Sequence, residues 1–314
     1  MTDADSTVAK LARLGATLGR CADLDTLLNA ALDGLAGLFG YEHAIVLLLD
    51  EDGKRLFTIA SRGYEREGVG SEVGVGEGII GLAAARAEPI RVGNLGQMLA
   101  YARTVRRSYE EQGGEMPGAE IPLPGLSNAE SQVAVPAMVL GEVVGVVAVE
   151  SPRRVAFTVD DEALLTVVAS LLASAVELDQ SRERAADRSA DVKSGERPVD
   201  APVEGRTRVR FFVADGSTFL DGDYLIKGVA GRILWSLLGQ YVGEGRTEFT
   251  NKEVRLDPTL ELPELRDNFE SRLILLKRRL DERDAPIRIE KTGRGRFRLV
   301  VDAVPTLEAV DGSR

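Results

Sequence analysis

One cysteine, Cys21, and one histidine, His43, limit the chemistry open to this chain. A structural zinc site draws on three or four Cys and His ligands, and a disulfide within the chain needs a second thiol. A nucleophilic catalytic set needs a base beside its nucleophile and a third group to orient that base, and a single imidazole gives little to build on. No enzyme activity is therefore expected, and neither a metal nor a covalent chromophore as cofactor. A carboxylate-only site for Mg²⁺ or Ca²⁺ stays open, although no EF-hand loop is visible. At the start of a strand-like run, His43 reads as a half-buried structural imidazole in preference to a haem ligand.

Three other groups of residues have the chemistry to meet an anion. Gly74–Gly81, GVGEGIIG, places glycines just ahead of a short helical stretch, where backbone N–H groups can approach phosphate. No Lys-Ser/Thr pair closes it and no parallel βαβ unit follows, so the preferred reading is a tight turn that needs positive φ. Arg103, Arg106 and Arg107 recur at helical spacing with Tyr109 beside them, which suits an anionic ligand or else a solvated helix face. Near the C-terminus, Lys291, Arg294 and Arg296 surround a Gly-Arg-Gly turn. Basic groups on a hairpin tip suit nucleic-acid phosphate.

These groups must be positioned by elements that the apolar periodicity outlines. Ser6–Arg20 and Asp23–Leu38 repeat leucine and alanine at helical spacing, with Asp23 as N-cap. Strand-like runs follow at His43–Asp50 and Arg55–Ser61, joined through Glu51-Asp52-Gly53. Gln132–Leu140 and Val143–Ser151 form a second hairpin. Between the two lies Gly96–Ser131, irregular and rich in Gly and Pro, read as a lid over a pocket. Thr158 and Asp161 resemble a capping box that opens a long helix with an apolar face to Leu178. Beyond the polar stretch that follows come strands in Arg208–Ala214 and Thr218–Ile226, helices Val229–Gly243, Thr250–Val254 and Pro263–Glu282, and a terminal hairpin over Ile287–Val301.

A chain of 314 residues suggests two folded units. The expected division is residues 1–187, a polar linker at 188–205, a second domain at 206–302 and a tail at 303–314. The net charge of −11 is uneven: Gly205–Asp302 holds 19 Lys and Arg against 16 Asp and Glu, so the acidic excess lies elsewhere. No run of apolar residues is long enough to span a bilayer, and the acidic N-terminus lacks a signal-peptide layout. A cytoplasmic protein without membrane contact is expected.

The residues Gly76-Glu77-Gly78-Ile79-Ile80-Gly81, then Glu88-Pro89-Ile90, then Val143–Glu150, in this order of elements, resemble a GAF domain over about Leu11–Glu177. The resemblance implies an antiparallel sheet with helices on one face and a small-molecule pocket on the other, and dimerisation through the terminal helices. It does not bring the chemistry of every relative. The Asn-Lys…Phe…Asp-Glu signature of the cyclic-nucleotide phosphodiesterase domains is missing, chromophore-bearing relatives need a cysteine beside a histidine, and the methionine-sulfoxide reductases use several cysteines.

Phe269, Leu273 and Leu276-Lys277-Arg278-Arg279-Leu280, followed by Ile287 to Leu299, resemble the winged helix of response-regulator transcription factors, with Phe297 where that family has tyrosine. Coverage is nearly all of Arg206–Asp302. The fold expected for the whole chain is thus α+β, a GAF-like sheet with helices plus a winged-helix-turn-helix domain. The resemblance implies double-stranded DNA as partner, read by Asn268, Ser271 and Arg272 on the long helix and by Lys291, Arg294 and Arg296 on the wing. Ile274 and Leu275, placed on the same outward face, support the alternative of a signalling adaptor that binds protein. Under the first reading, a ligand-controlled homodimer regulates transcription.

Overall fold

The computed structural model describes residues 6–50, 52–95, 121–189, 205–260, 269–293 and 295–310. Residues 190–204 of the expected linker lie outside these. The chain divides into two compact units, Met1–Asp179 and Gln180–Arg314. No described helix is long and apolar enough to cross a membrane.

The first unit opens with helices α1 (Thr7–Leu18) and α2 (Leu24–Phe39). Ser6 caps α1 through Ala9 N–H, and Asp23 caps α2 through Thr26 N–H at 2.8 Å. The second helix stops at Gly40, whose φ of 77° is the left-handed turn glycine adopts without strain. Strands β1 (His43–Leu49), β2 (Arg55–Arg62) and β3 (Glu72–Gly74) follow, then helix α3 (Gly78–Arg86), β4 (Ile90–Val92), β5 (Ser131–Val139), β6 (Glu142–Ser151) and helix α4 (Val159–Ser189), which continues past the division at Asp179. The strands form one antiparallel sheet in the order β3-β2-β1-β6-β5-β4.

Strand alternation gives that sheet two faces. Ile45, Leu47, Ala134, Val146 and Ala148 form a buried cluster with Ile79, Ile80, Ala83 and Ala84 of α3. Ala44, Val46, Val133, Val147 and Val149 alternate to the opposite face and are equally buried. Helix α2 packs against β1 and β2 and contributes nothing to the α3 cluster, so it covers this second face. β-Branched valines therefore run through β5 and β6 without a polar side, because both faces are covered.

The second unit holds β7 (Arg206–Phe212), β8 (Thr218–Leu220), β9 (Asp223–Ile226), helix α5 (Gly228–Glu244), β10 (Glu248–Thr250), helix α6 (Asn251–Arg255), a 3₁₀ turn at Pro258–Leu260, helix α7 (Phe269–Glu282), β11 (Ile287–Gly293), β12 (Arg296–Val301) and β13 (Val304–Val310). Its sheets run β13-β7-β8-β9 and β10-β12-β11. The expected tail is corrected here: β13 pairs in parallel with β7 over seven residues, and Pro305, in the strand, is tolerated at an edge. Short β-branched and apolar residues at 304–310 gave strand propensity without a nearby turn to reveal a partner a hundred residues upstream.

Helices α5 and α7 pack on each other. Leu234, Leu237, Leu238, Phe269, Leu276, Leu280 and Phe297 are buried, Trp235 stacks on Phe211 with ring centroids 5.0 Å apart, and Phe249 stacks on Phe297. Thr250 and Glu253 complete a capping box at α6.

Candidate functional site

The glycine-rich segment shapes one end of the α3 face. Gly76 and Gly78 have φ of 92° and 60°, and a Cβ on Gly81 would lie 2.1 Å from the Gly74 carbonyl oxygen. The chain returns on itself: Gly76 N–H donates to Gly81 O at 2.8 Å, and the Glu77 carboxylate accepts Gly74 N–H. The glycines thus allow a close turn, and the side chain that fills it is acidic. That argues against phosphate in the loop.

Above this turn the α3 face is apolar, and it becomes polar towards the start of β1 and the end of β6. His43 and Glu150 are partners in the β1–β6 register, and Gln132 is Glu150's partner on β5. The Glu150 carboxylate accepts Leu126 N–H at 2.9 Å and Gln132 Nε2–H at 3.1 Å. Burial pushes its pKa above the ordinary range, against the opposing effect of the Leu126 N–H and the Tyr64 hydroxyl. Tyr64 packs edge-on against His43 with ring centroids 5.6 Å apart and against the apolar cluster. Its Oη is buried, and burial together with the nearby Glu150 charge keeps the phenol protonated. His43 is therefore a half-buried ring in edge contact with Tyr64.

A buried carboxylate, an amide and a phenol thus stand at one end of the apolar cluster, polar groups able to meet a hydrogen-bonding partner. Among the described residues no three His, Cys, Asp or Glu side chains are grouped to hold a metal. The sequence reading missed Glu150, Gln132 and Tyr64. Alternation within β5 and β6 was the available signal, since Gln132 and Glu150 are the polar exceptions on an apolar face.

The family profile for the GAF domain matches residues 21–177, half of the chain. The chain belongs to the GAF domain family. Among solved structures it is similar to the GAF domain of an Acinetobacter phosphoenolpyruvate-protein phosphotransferase, with 22% identity over 58% of this chain and 97% of that one, TM-score 0.45. It is also similar to the GAF domain of a phosphoenolpyruvate-protein phosphotransferase from Coxiella burnetii, with 17% identity over 58% and 99%, TM-score 0.45. A free methionine-R-sulfoxide reductase from Neisseria meningitidis, solved with its substrate, gives 18% identity over 58% and 95%, TM-score 0.44. No curated protein matches the chain. GAF domains act in signalling and sensing.

The sites expected from the sequence fare unequally. Arg103, Arg106, Arg107 and Tyr109 lie outside the described residues of the GAF half, and Asn268 and Arg294 outside those of the second unit. Arg296 is exposed on β12, and Arg272 is half-buried on α7. Lys291 Nζ sits 2.9 Å from Glu270 Oε1.

Three outward positions on α7 are corrected. Ser271, Ile274 and Leu275 are 1%, 4% and 3% exposed, so they offer neither an open base-reading surface nor an open protein-binding patch. Spacing along a single helix placed them on its outward face. In the fold α7 packs against α5, α6, β9 and β11, and its first two turns are buried on more than one side.

Proposed function

We propose that this chain is a signalling regulator in which the GAF domain holds a small molecule and the second unit, a winged helix, binds double-stranded DNA. The observation that carries the sensory part is the apolar α3 face ending in Glu150, Gln132 and Tyr64. The DNA-binding part is supported by the succession α5, β10, α6, α7 and hairpin β11–β12, with a three-stranded sheet β10-β12-β11 and exposed Arg296. A cytoplasmic homodimer without enzyme activity belongs to the same reading. Val167, Leu171 and Leu178 of α4 are exposed at helical spacing and supply a self-association face.

The test is binding of the full chain to random-sequence duplex at low salt. Affinity should fall steeply with added salt, and Arg296→Ala should weaken it without unfolding the protein. Absence of affinity at low salt would sink the DNA-binding reading. The alternative, an adaptor that binds protein, draws support from the occlusion of Ser271, because a helix with a covered base-reading face suits a different output. It would use a surface other than Ile274 and Leu275.

A further inference from the structure

Glu270 stands in the first turn of α7 and is 7% exposed. A carboxylate so far from solvent requires compensating donors. Its Oε2 accepts Asn251 Nδ2–H at 2.7 Å, and its Oε1 accepts Lys291 Nζ–H at 2.9 Å. Asn251 opens α6 and Lys291 lies in β11, so one side chain joins three elements. The same asparagine ties down the hairpin a second time, since its backbone N–H donates to Gly295 O at 2.9 Å beside the Thr250–Arg296 strand pair.

We infer that Asn251, Glu270 and Lys291 form a latch that fixes hairpin β11–β12 against the start of α7, making Lys291 a positioning residue and not a phosphate contact. The hairpin's placement follows from the latch itself; only the consequence for DNA rests on the winged-helix reading. The energetics favour a latch over a surface ion pair. Lys291's side chain is 39% exposed but Glu270's is 8% exposed, so loss of the ammonium leaves a buried carboxylate short of a donor, which costs far more than the loss of an exposed pair. Arg298, by contrast, meets Glu290 with both side chains open to solvent.

Hydrogen–deuterium exchange of the full chain, followed on peptides covering residues 287–301, tests the latch. Lys291→Met and Glu270→Gln should each speed hairpin exchange about tenfold, and the double variant should exchange no faster than the faster single. Lys291→Arg should stay near wild type, and peptides covering β1 and β2 should be unaffected. Unchanged hairpin exchange in Lys291→Met, or fully additive effects in the double variant, would overturn the latch. Should Glu270→Gln fail to fold, Lys291→Met and Lys291→Arg still decide it.

A second readout separates positioning from phosphate contact. The slope of log affinity for duplex against log salt should be unchanged in Lys291→Met, whereas Arg296→Ala should lower it by about one. A loss of about one in Lys291→Met would overturn the positioning role. If the wild type shows no duplex affinity, the DNA-binding reading falls and the exchange experiment still decides the latch.

Discussion

Tyr41 donates its phenolic hydrogen to Asp161, 120 residues further along the chain, and so bonds the end of α2 to the first turn of α4. Thr158 caps the same turn from the other side, its N–H and Oγ1 both meeting Asp161 Oδ2 at 2.7 Å. Phe157 packs edge-on against Tyr41, and Arg91 of β4 reaches Glu162 and the Phe157 carbonyl. Strand β4, whose Ile90 and Val92 pack against the apolar cluster of the α3 face, is thereby tied to the start of α4.

Asp161 should give the first unit an acid-sensitive component of stability. Burial would raise its pKa, but hydrogen bonds from Tyr41 and Thr158 and the charge of Arg91 more than offset this and hold it below the usual 3.8. A depressed carboxylate contributes stability above its unfolded pKa and loses it as pH falls through the folded value. Thermal unfolding of Asp161→Asn should accordingly show a flatter decline below about pH 4 than wild type. Tyr41→Phe should cost about 1–2 kcal/mol at neutral pH in denaturant titration.

Glu150 should act with the opposite sign. Its folded pKa lies above the ordinary 4.5 because of burial, so its favourable contribution is present at low pH and is lost as pH rises through the folded value. In Glu150→Gln, melting temperature should lose this decline on the neutral side. A decline as steep as wild type's would show that the carboxylate is not the group responsible.

Gly81→Ala should damage the turn at α3. Its new Cβ would lie 2.1 Å from a backbone oxygen, and no flexible side chain can yield there. A loss of about 3 kcal/mol in the first unit is expected. Gly37→Ala, on α2 with open space at the same position, provides the control and should be neutral or slightly stabilising.

Arg279→Met should destabilise the second unit. Its Nε donates to Leu225 O at 2.9 Å in a buried setting, and its guanidinium pairs with Glu282 at 2.6 Å. Removing it leaves a β9 carbonyl without its donor, with an expected loss of about 2 kcal/mol in urea unfolding. The first unit's transition should not move.

Leu171→Glu should shift the full chain to a smaller species in analytical ultracentrifugation if α4 supplies the self-association face. The residue is 40% exposed, so folding should survive the charge. An unchanged sedimentation coefficient in a dimeric protein would place the contact elsewhere.

Much of the architecture could be read from the chain because its signals are local. Asp23 before a leucine-periodic stretch, the turn around Gly53 and the Thr158–Asp161 pair each mark an element boundary through contacts within a few residues. The continuous apolar, β-branched runs of β5 and β6 made a hairpin, and the glycines of residues 74–81 made a tight turn. The candidate site was less legible. Its polar end joins residues from β1, β5, β6 and the segment after β2, and strand order is not encoded in any one window.

By itself, the sequence determined the GAF domain, the two-unit organisation and the limit of one thiol and one imidazole, the last a matter of composition. Tertiary structure alone decided that Glu150, Gln132 and Tyr64 meet on one face, that residues 304–310 return to β7, and that Ser271, Ile274 and Leu275 are covered. The reason is range. Caps, turns and periodicity depend on neighbours in sequence, whereas parallel pairing and the burial of a helix's second side depend on which distant elements pack against it.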